Sequence, residues 1–481
     1  MDRRTYLVAL GSTLAPLTGC VGDGGRHGNR STGGRDPNET PTNGSGSGGA
    51  ARMDGDGSDE PGEPGEEGSA DDAVTRWDGP GPGAWTQGGH DARHTNHASD
   101  ATAPLGDVAV AWTAEMDRPV YAPVVDGHLF LTERWSHGAV HSLTGRRGEQ
   151  RWTNHDLPPM RWAPALGEDA VYALTRTGRN VRRLHALDRE SGEERWRTEL
   201  TASSTDHPPS GPTLAGDRVY VGSDTGVIAV AAESGEEAWR AELAPHVVET
   251  EDGPTWATTW AKPAVDDRRV YTYDVTESYG PTREVYAVDR ETGDEVWTAE
   301  LDLGDDWRLT GRPVVAGAVV VVNAYEIHYV VPGKSDPPPA VHRLYAIDVA
   351  DGSVAWRWSP GPGGQITPPA HVEGTLYVGA RHGATDTGAI HAVDASDGTS
   401  RQLHHSESGG VGTPAVAEDV LYVTDGRGLA ALERDDGSIV WRLSLHDPLT
   451  NPVVADGTVY TVAGGDRDAE ENRVIAVRER A

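Results

Sequence analysis

The chain has a single cysteine, and its neighbours give it a chemistry. Cys20 closes the run Leu17-Thr18-Gly19-Cys20, a lipobox, in which cleavage leaves the cysteine as a lipidated N-terminus. Arg3 and Arg4 stand ahead of it, followed by a short apolar run to Leu17. That arrangement resembles a twin-arginine export signal, and the apolar run is too short to cross a bilayer comfortably. Residues 1–20 are therefore expected to be a lipoprotein signal peptide. The anchor would be a diacylglyceryl group on Cys20, whose two chains hold more firmly than one. The protein would then sit on the outer face of the cell membrane. With one cysteine no intramolecular disulfide can form.

Other reactive groups are numerous but not arranged for catalysis. None of the nineteen histidines falls in a zinc-ligand spacing such as His-Glu-x-x-His. His404 and His405 are adjacent and would diverge along a strand. No nucleophile elbow, phosphate-binding loop or dinucleotide fingerprint occurs. Asp54-Gly-Asp56-Gly-Ser58-Asp59 lacks the glycine and distal glutamate of a calcium loop and reads as solvated linker. No metal and no cofactor is expected from these groups.

Acidic residues (75) outnumber basic ones (42), for a formal net charge of −33. Lys262 and Lys334 are the only lysines. Such a surface is similar to that of salt-adapted, haloarchaeal proteins, and it would repel nucleic acid. Residues 21–82 are rich in Gly, Ser, Asp, Glu and Pro and cannot bury enough apolar surface to offset their ordering entropy. They read as a disordered tether with a reach of roughly 40 Å. Its sequons begin at Asn29, Asn38 and Asn43, where an exported chain can be glycosylated.

The elements that position everything else begin with Val285–Leu301, VYAVDRETGDEVWTAEL. It reads as strand, turn, strand: alternating Val and Tyr favour a pleated surface, and Gly293 suits a turn position with positive φ. Trp297 follows that glycine by four residues, and the figure recurs. Trp152, Trp196, Trp239, Trp356 and Trp441 follow Gly148, Gly192, Gly235, Gly352 and Gly437 in the same way. Ten residues before each tryptophan is a small residue, Ala287 or its counterpart. After Gly398 the tryptophan position is Gln402. Each unit opens with a proline: Pro123, Pro164, Pro212, Pro263, Pro313, Pro369, Pro414 and Pro452. Four strands per unit at this period signal an all-β, eight-bladed propeller of four-stranded antiparallel blades over residues 83–481. The last unit lacks its tryptophan strand. Val108–Met116, which carries Trp112 with no preceding turn, is expected to supply it, with Trp112 beside Ala476, so that the chain ends close the ring. An open solenoid of β units is the alternative.

The pattern Ala287-x-Asp289-x-x-Thr292-Gly293-x-x-x-Trp297, with a near copy from Ala186 to Trp196, resembles the tryptophan-docking motif of the pyrroloquinoline-quinone-like propeller repeats. The resemblance covers about residues 85–481. That family includes quinoprotein alcohol dehydrogenases and non-enzymatic lipoproteins of the BamB type. The resemblance implies that Trp85–His94 packs on the ring as a cap. The dehydrogenases often carry a vicinal disulfide beside the cofactor, which this chain cannot form.

Within a propeller the turns between strands one and two, and three and four, share one face, and they are short here. The loops of the other face vary in length: Ala244–Lys262, Asp274–Glu284 and Asn323–His342. Recognition is expected there. Residues just before the prolines should line the channel mouth: Tyr121, Arg161, Trp162, Trp260, Lys262, Arg312 and Gln365. They act as binding anchors, or they plug the channel. The reading is a monomeric, non-catalytic, lipid-anchored scaffold that binds a protein or surface polymer. The alternative is a quinone- and calcium-dependent dehydrogenase, whose ion needs carboxylate and amide oxygens that the mouth segments do not supply.

Overall fold

The computed structural model describes residues 83–480 apart from 103, 135–137, 178–180, 201–210, 224, 244–246, 251–252, 257–259, 276–282, 327–340, 384, 408, 427, 446–448 and 465–471. Cys20, the tether and the three sequons lie outside the described residues, as does most of Asn323–His342.

Eight antiparallel blades surround a central axis. Their innermost strands are Val124–Asp126, Ala165–Leu166, Thr213–Ala215, Ala264–Val265, Trp307–Ala316, Ala370–Val372, Ala415–Ala417 and Val453–Ala455. We number the blades 1 to 8 in that order. Blade 8 is completed from the other end of the chain: Val108–Met116 pairs antiparallel with Asn472–Glu479, and Trp112 lies directly opposite Ala476. The segment Ala244–Lys262 carries a further two-stranded hairpin, Val247–Thr250 with Gly253–Trp256.

The repeat residues have distinct jobs. Each alanine is the cross-strand partner of its own blade's tryptophan, as in Ala186 with Trp196 and Ala287 with Trp297. A large side chain there would lift the indole off the sheet. Each indole then reaches the next blade. Trp112, Trp152, Trp196, Trp239, Trp297 and Trp356 donate Nε1–H to the carbonyls of Gly145, Arg189, Ala232, Arg290, Val349 and Ala395 at 2.9–3.1 Å. The turn glycine of that next blade lies under the ring. Gly192 has φ +76°, and a Cβ there would stand 2.5 Å from the Trp152 indole. This position therefore excludes side chains twice, by backbone conformation and by contact.

Two seams depart from the rule. Blade 8 has no turn of this kind, and Trp441 of blade 7 donates instead to Pro104 O at 2.7 Å, just ahead of the closing strand. Between blades 6 and 7, where Gln402 replaces tryptophan, the backbone closes in: a Cβ on Gly437 would lie 2.3 Å from Leu403 O.

Candidate functional site: the central channel

The innermost strand of a propeller blade has one unpaired edge, which faces the axis. In this chain the segment from Gly83 to Ala101 meets those edges blade by blade. Trp85 exchanges two backbone hydrogen bonds with Val125, 2.7 and 2.8 Å. Thr86 O accepts from Leu166 N, and the Gln87 carboxamide pairs both ways with the Leu214 backbone. Ala92 O, Arg93 O, Thr95 O and Asn96 O accept from Val265, Val315, His371 and Val416 N. His97–Ala98 runs parallel to Val416–Ala417. Seven blades are thus contacted in chain order, each at the second residue after its proline. A Cβ on Gly83 would touch Ala101 at 2.6 Å, so the belt ends where it began.

The expected cap is therefore an inner belt. Its course requires tight bends, and it takes them at Gly89, His90, His94 and Asn96, all with positive φ. Glycine, histidine and asparagine tolerate this region better than most residues. Satisfying the inward-pointing N–H groups of the inner strands is what holds it there.

The residues immediately before the blade prolines stand on the loop side of the belt. Six are small or uncharged: Ala122, Ala163, Gly211, Pro368, Thr413 and Asn451. The other two are Lys262 and Arg312. Lys262 Nζ donates to Gly88 O at 2.8 Å, and Arg312 Nη2 donates to Asn96 Oδ1 at 2.9 Å. His94 is fully buried beside them, its Nδ1 2.9 Å from Pro313 O. Burial and the charges of Lys262 and Arg312 hold the His94 pKa well below the ordinary histidine value, so the ring is neutral and its Nδ1–H donates. Burial and Arg312 likewise push Lys262 well below the lysine range. Arg312 is lowered to about 10, chiefly by burial. Asp91 behaves oppositely. Burial opposes its charge, but contact with His90 and hydrogen bonds from Thr95 N and Oγ1 outweigh that and hold the carboxyl at about 2.

Of the other residues expected at the mouth, Tyr121 is buried with the Arg134 guanidinium 5.0 Å over its ring. Arg161 and Trp162 are half-buried, and Trp162 O accepts from Thr132 Oγ1. Trp260 is not at the mouth. It is fully buried in the core between blades 3 and 4, edge-on to Tyr286 at 5.4 Å. Two residues along the strand from Lys262, its backbone already pairs with Asp274, and the side chain falls between blades. Gln365 belongs to a short extra strand, Gly364–Ile366, on blade 6. Spacing from the prolines selected these residues, and of them Lys262 and Arg312, each directly before its proline, bond to the belt.

A cleft of about 1120 Å³ opens on the opposite face, over the short turns. Belt residues Asp91 and Arg93 line it together with Asp169, Asp217, Asp266 and Arg290. Sequence reasoning missed it because the concavity is made by three neighbouring blades, not by one long loop. Among the described residues no cluster of three or more His, Cys, Asp or Glu could hold a metal ion.

Comparison with known proteins places this architecture. The family described as outer membrane protein assembly factor BamB matches residues 136–249, 223–401 and 386–480. The BamB of Yersinia pestis is 27% identical over 197 residues, covering 37% of this chain and 47% of that protein. The match thus spans about half the length of that relative. The solved BamB of Moraxella catarrhalis is 18% identical with a TM-score of 0.52, over 78% of this chain and 98% of that one. The quinohemoprotein alcohol dehydrogenase of Comamonas testosteroni is 15% identical with a TM-score of 0.57, over 83% and 81%. At such identities these structures speak for the fold alone. The family match covers most of the propeller: the chain belongs to the BamB family of pyrroloquinoline-quinone-like β-propellers.

Proposed function

We propose that this protein is a non-catalytic binding or scaffold propeller, exported and lipid-anchored at Cys20 on the outer face of the cell membrane. It recognises a protein or a surface polymer through the face that carries its longer loops. The observation that supports this reading best is the belt. The chain's own residues occupy the axis, and the groups left beside them are donors and cations, not a catalytic set. A rigid ring with a filled centre leaves its peripheral loops for recognition. The assembly role in the relatives' name is not carried over. The acidic, lysine-poor composition fits a salt-adapted, haloarchaeal cell, which has no outer membrane of that kind.

The test is affinity capture from the organism's own membranes with the anchored protein and with an Arg161→Glu variant of the loop face. One partner enriched by the wild type and depleted by the variant supports the reading. The same partner retained by Arg161→Glu but lost on Asp217→Arg, on the short-turn face, would move the recognition surface across the ring.

A second reading, a quinone- and calcium-dependent dehydrogenase, draws on the likeness of fold to the alcohol dehydrogenases. The residues beside the axis do not fit the divalent ion. Lys262 and Arg312 would repel it, and the belt carboxylate near them, Asp91, is already engaged by Thr95 and His90. Dye-linked alcohol oxidation by the purified protein after addition of quinone and calcium would establish that reading in place of the first.

A further inference from the structure

Lys262 and Arg312 pose a problem of charge. Lys262 is 8% exposed, and Arg312 is half-buried beside it. They bracket two consecutive glycines. A Cβ on Gly88 would lie 3.6 Å from Lys262 Nζ, and one on Gly89 would lie 3.0 Å from Arg312 Nε. Among the described residues neither cation forms an ion pair with a carboxylate. Lys262 has a backbone carbonyl and Arg312 a carboxamide oxygen. Arg312 Nε is buried with no hydrogen-bond partner. Asp91 is the nearby carboxylate, but its oxygens accept from Thr95, with His90 3.7 Å away. His94 is neutral. With Lys262 charged, two cations face one carboxylate among the described residues, and that surplus positive charge is what burial disfavours.

We propose that Lys262 Nζ and Arg312 Nε hold a small monovalent anion of the chloride class over Gly88 and Gly89, at the heart of the channel. The size follows from the donors. Arg312 Nη2 is committed to Asn96, so the Nε–Nη2 edge that would grip a planar carboxylate or phosphate is half used. What remains is one buried N–H and one ammonium, which suits a single-atom acceptor. The glycines follow as well, since a side chain at residue 89 would cover Nε. The anion favours the charged lysine and so offsets the depression that burial and Arg312 impose. The site depends only on the channel geometry, and it stands or falls independently of what the loop face binds.

The full-length protein is tested by thermal unfolding in sodium chloride, bromide and methanesulfonate at equal ionic strength. Chloride and bromide should raise the midpoint by roughly 2–5 °C over methanesulfonate, as expected for a ligand held only by the folded state. The difference should vanish in Lys262→Met. Crystals soaked in bromide should show an anomalous peak between Lys262 Nζ and Arg312 Nε, a readout that does not require the variant to fold. Equal midpoints in all three salts, an anion effect kept in full by Lys262→Met, or bromide absent from that position would each overturn the proposal.

Discussion

Two rings hold this propeller, and they work by opposite means. The outer ring is a repeat. Six indoles each span one seam, donating to the next blade and lying on its turn glycine, as Trp297 does with Val349 and Gly352. The inner ring is a single segment used once. Trp85 to Ala98 gives seven of the eight inner strands a different partner, here a backbone carbonyl, there a glutamine side chain. The outer ring couples neighbours only, so losing one indole weakens one seam. The inner belt couples seven blades in order, so its loss is felt around the whole circle.

The comparison breaks most readily at the belt. Deleting residues 83–101 removes nine hydrogen bonds to the inner strands, at about 1 kcal/mol net each, plus the burial of Trp85. That rivals the whole stability of a typical domain, about 5–15 kcal/mol. The truncated protein is expected to show no cooperative melt by calorimetry, and a normal transition would reduce the belt to an ornament. Next in size is Trp297→Ala, expected to cost about 3–5 kcal/mol in denaturant unfolding while leaving the chain folded. If it instead abolished folding, the outer ring would be as indivisible as the inner. Gly192→Ala adds left-handed strain and a clash with Trp152, for a loss of about 2–4 kcal/mol. A neutral result there would mean that the seam is looser than its 2.5 Å approach implies.

The smallest effect sharpens the belt itself. The Asp91 carboxyl is held at about 2 against an ordinary 3.8. Because the folded value is the lower one, its contribution is fully present above pH 3.8 and is lost as pH falls through about 2. Acid titration of stability should therefore fall less steeply over that window in Asp91→Asn than in the wild type. Parallel curves would show that Asp91 does not hold the belt through its charge.

Much of the outer ring was legible in the chain because each of its constraints repeats. The Gly-x-x-x-Trp spacing, the alanine ten residues earlier and the blade prolines mark the same place in blade after blade. Trp112 with no turn before it, set against a last unit lacking its tryptophan, was enough to pair it with Ala476. Even the exception at Gln402 was visible, although the backbone closing onto Gly437 was not.

The candidate site was far less legible. Trp260 and Lys262 stand two residues apart before the same proline, yet one is sealed between blades and the other faces the axis. Which side chain turns inward depends on how each strand sits in its blade, and spacing alone does not carry that. Short-range pattern, then, determined the number of blades, their docking and how the circle closes, because those rest on contacts that recur at fixed separations along the chain. Only the folded ring decided what fills its centre. The partners of Trp85 to Ala98 lie in seven different blades, brought within reach of one segment solely by closure.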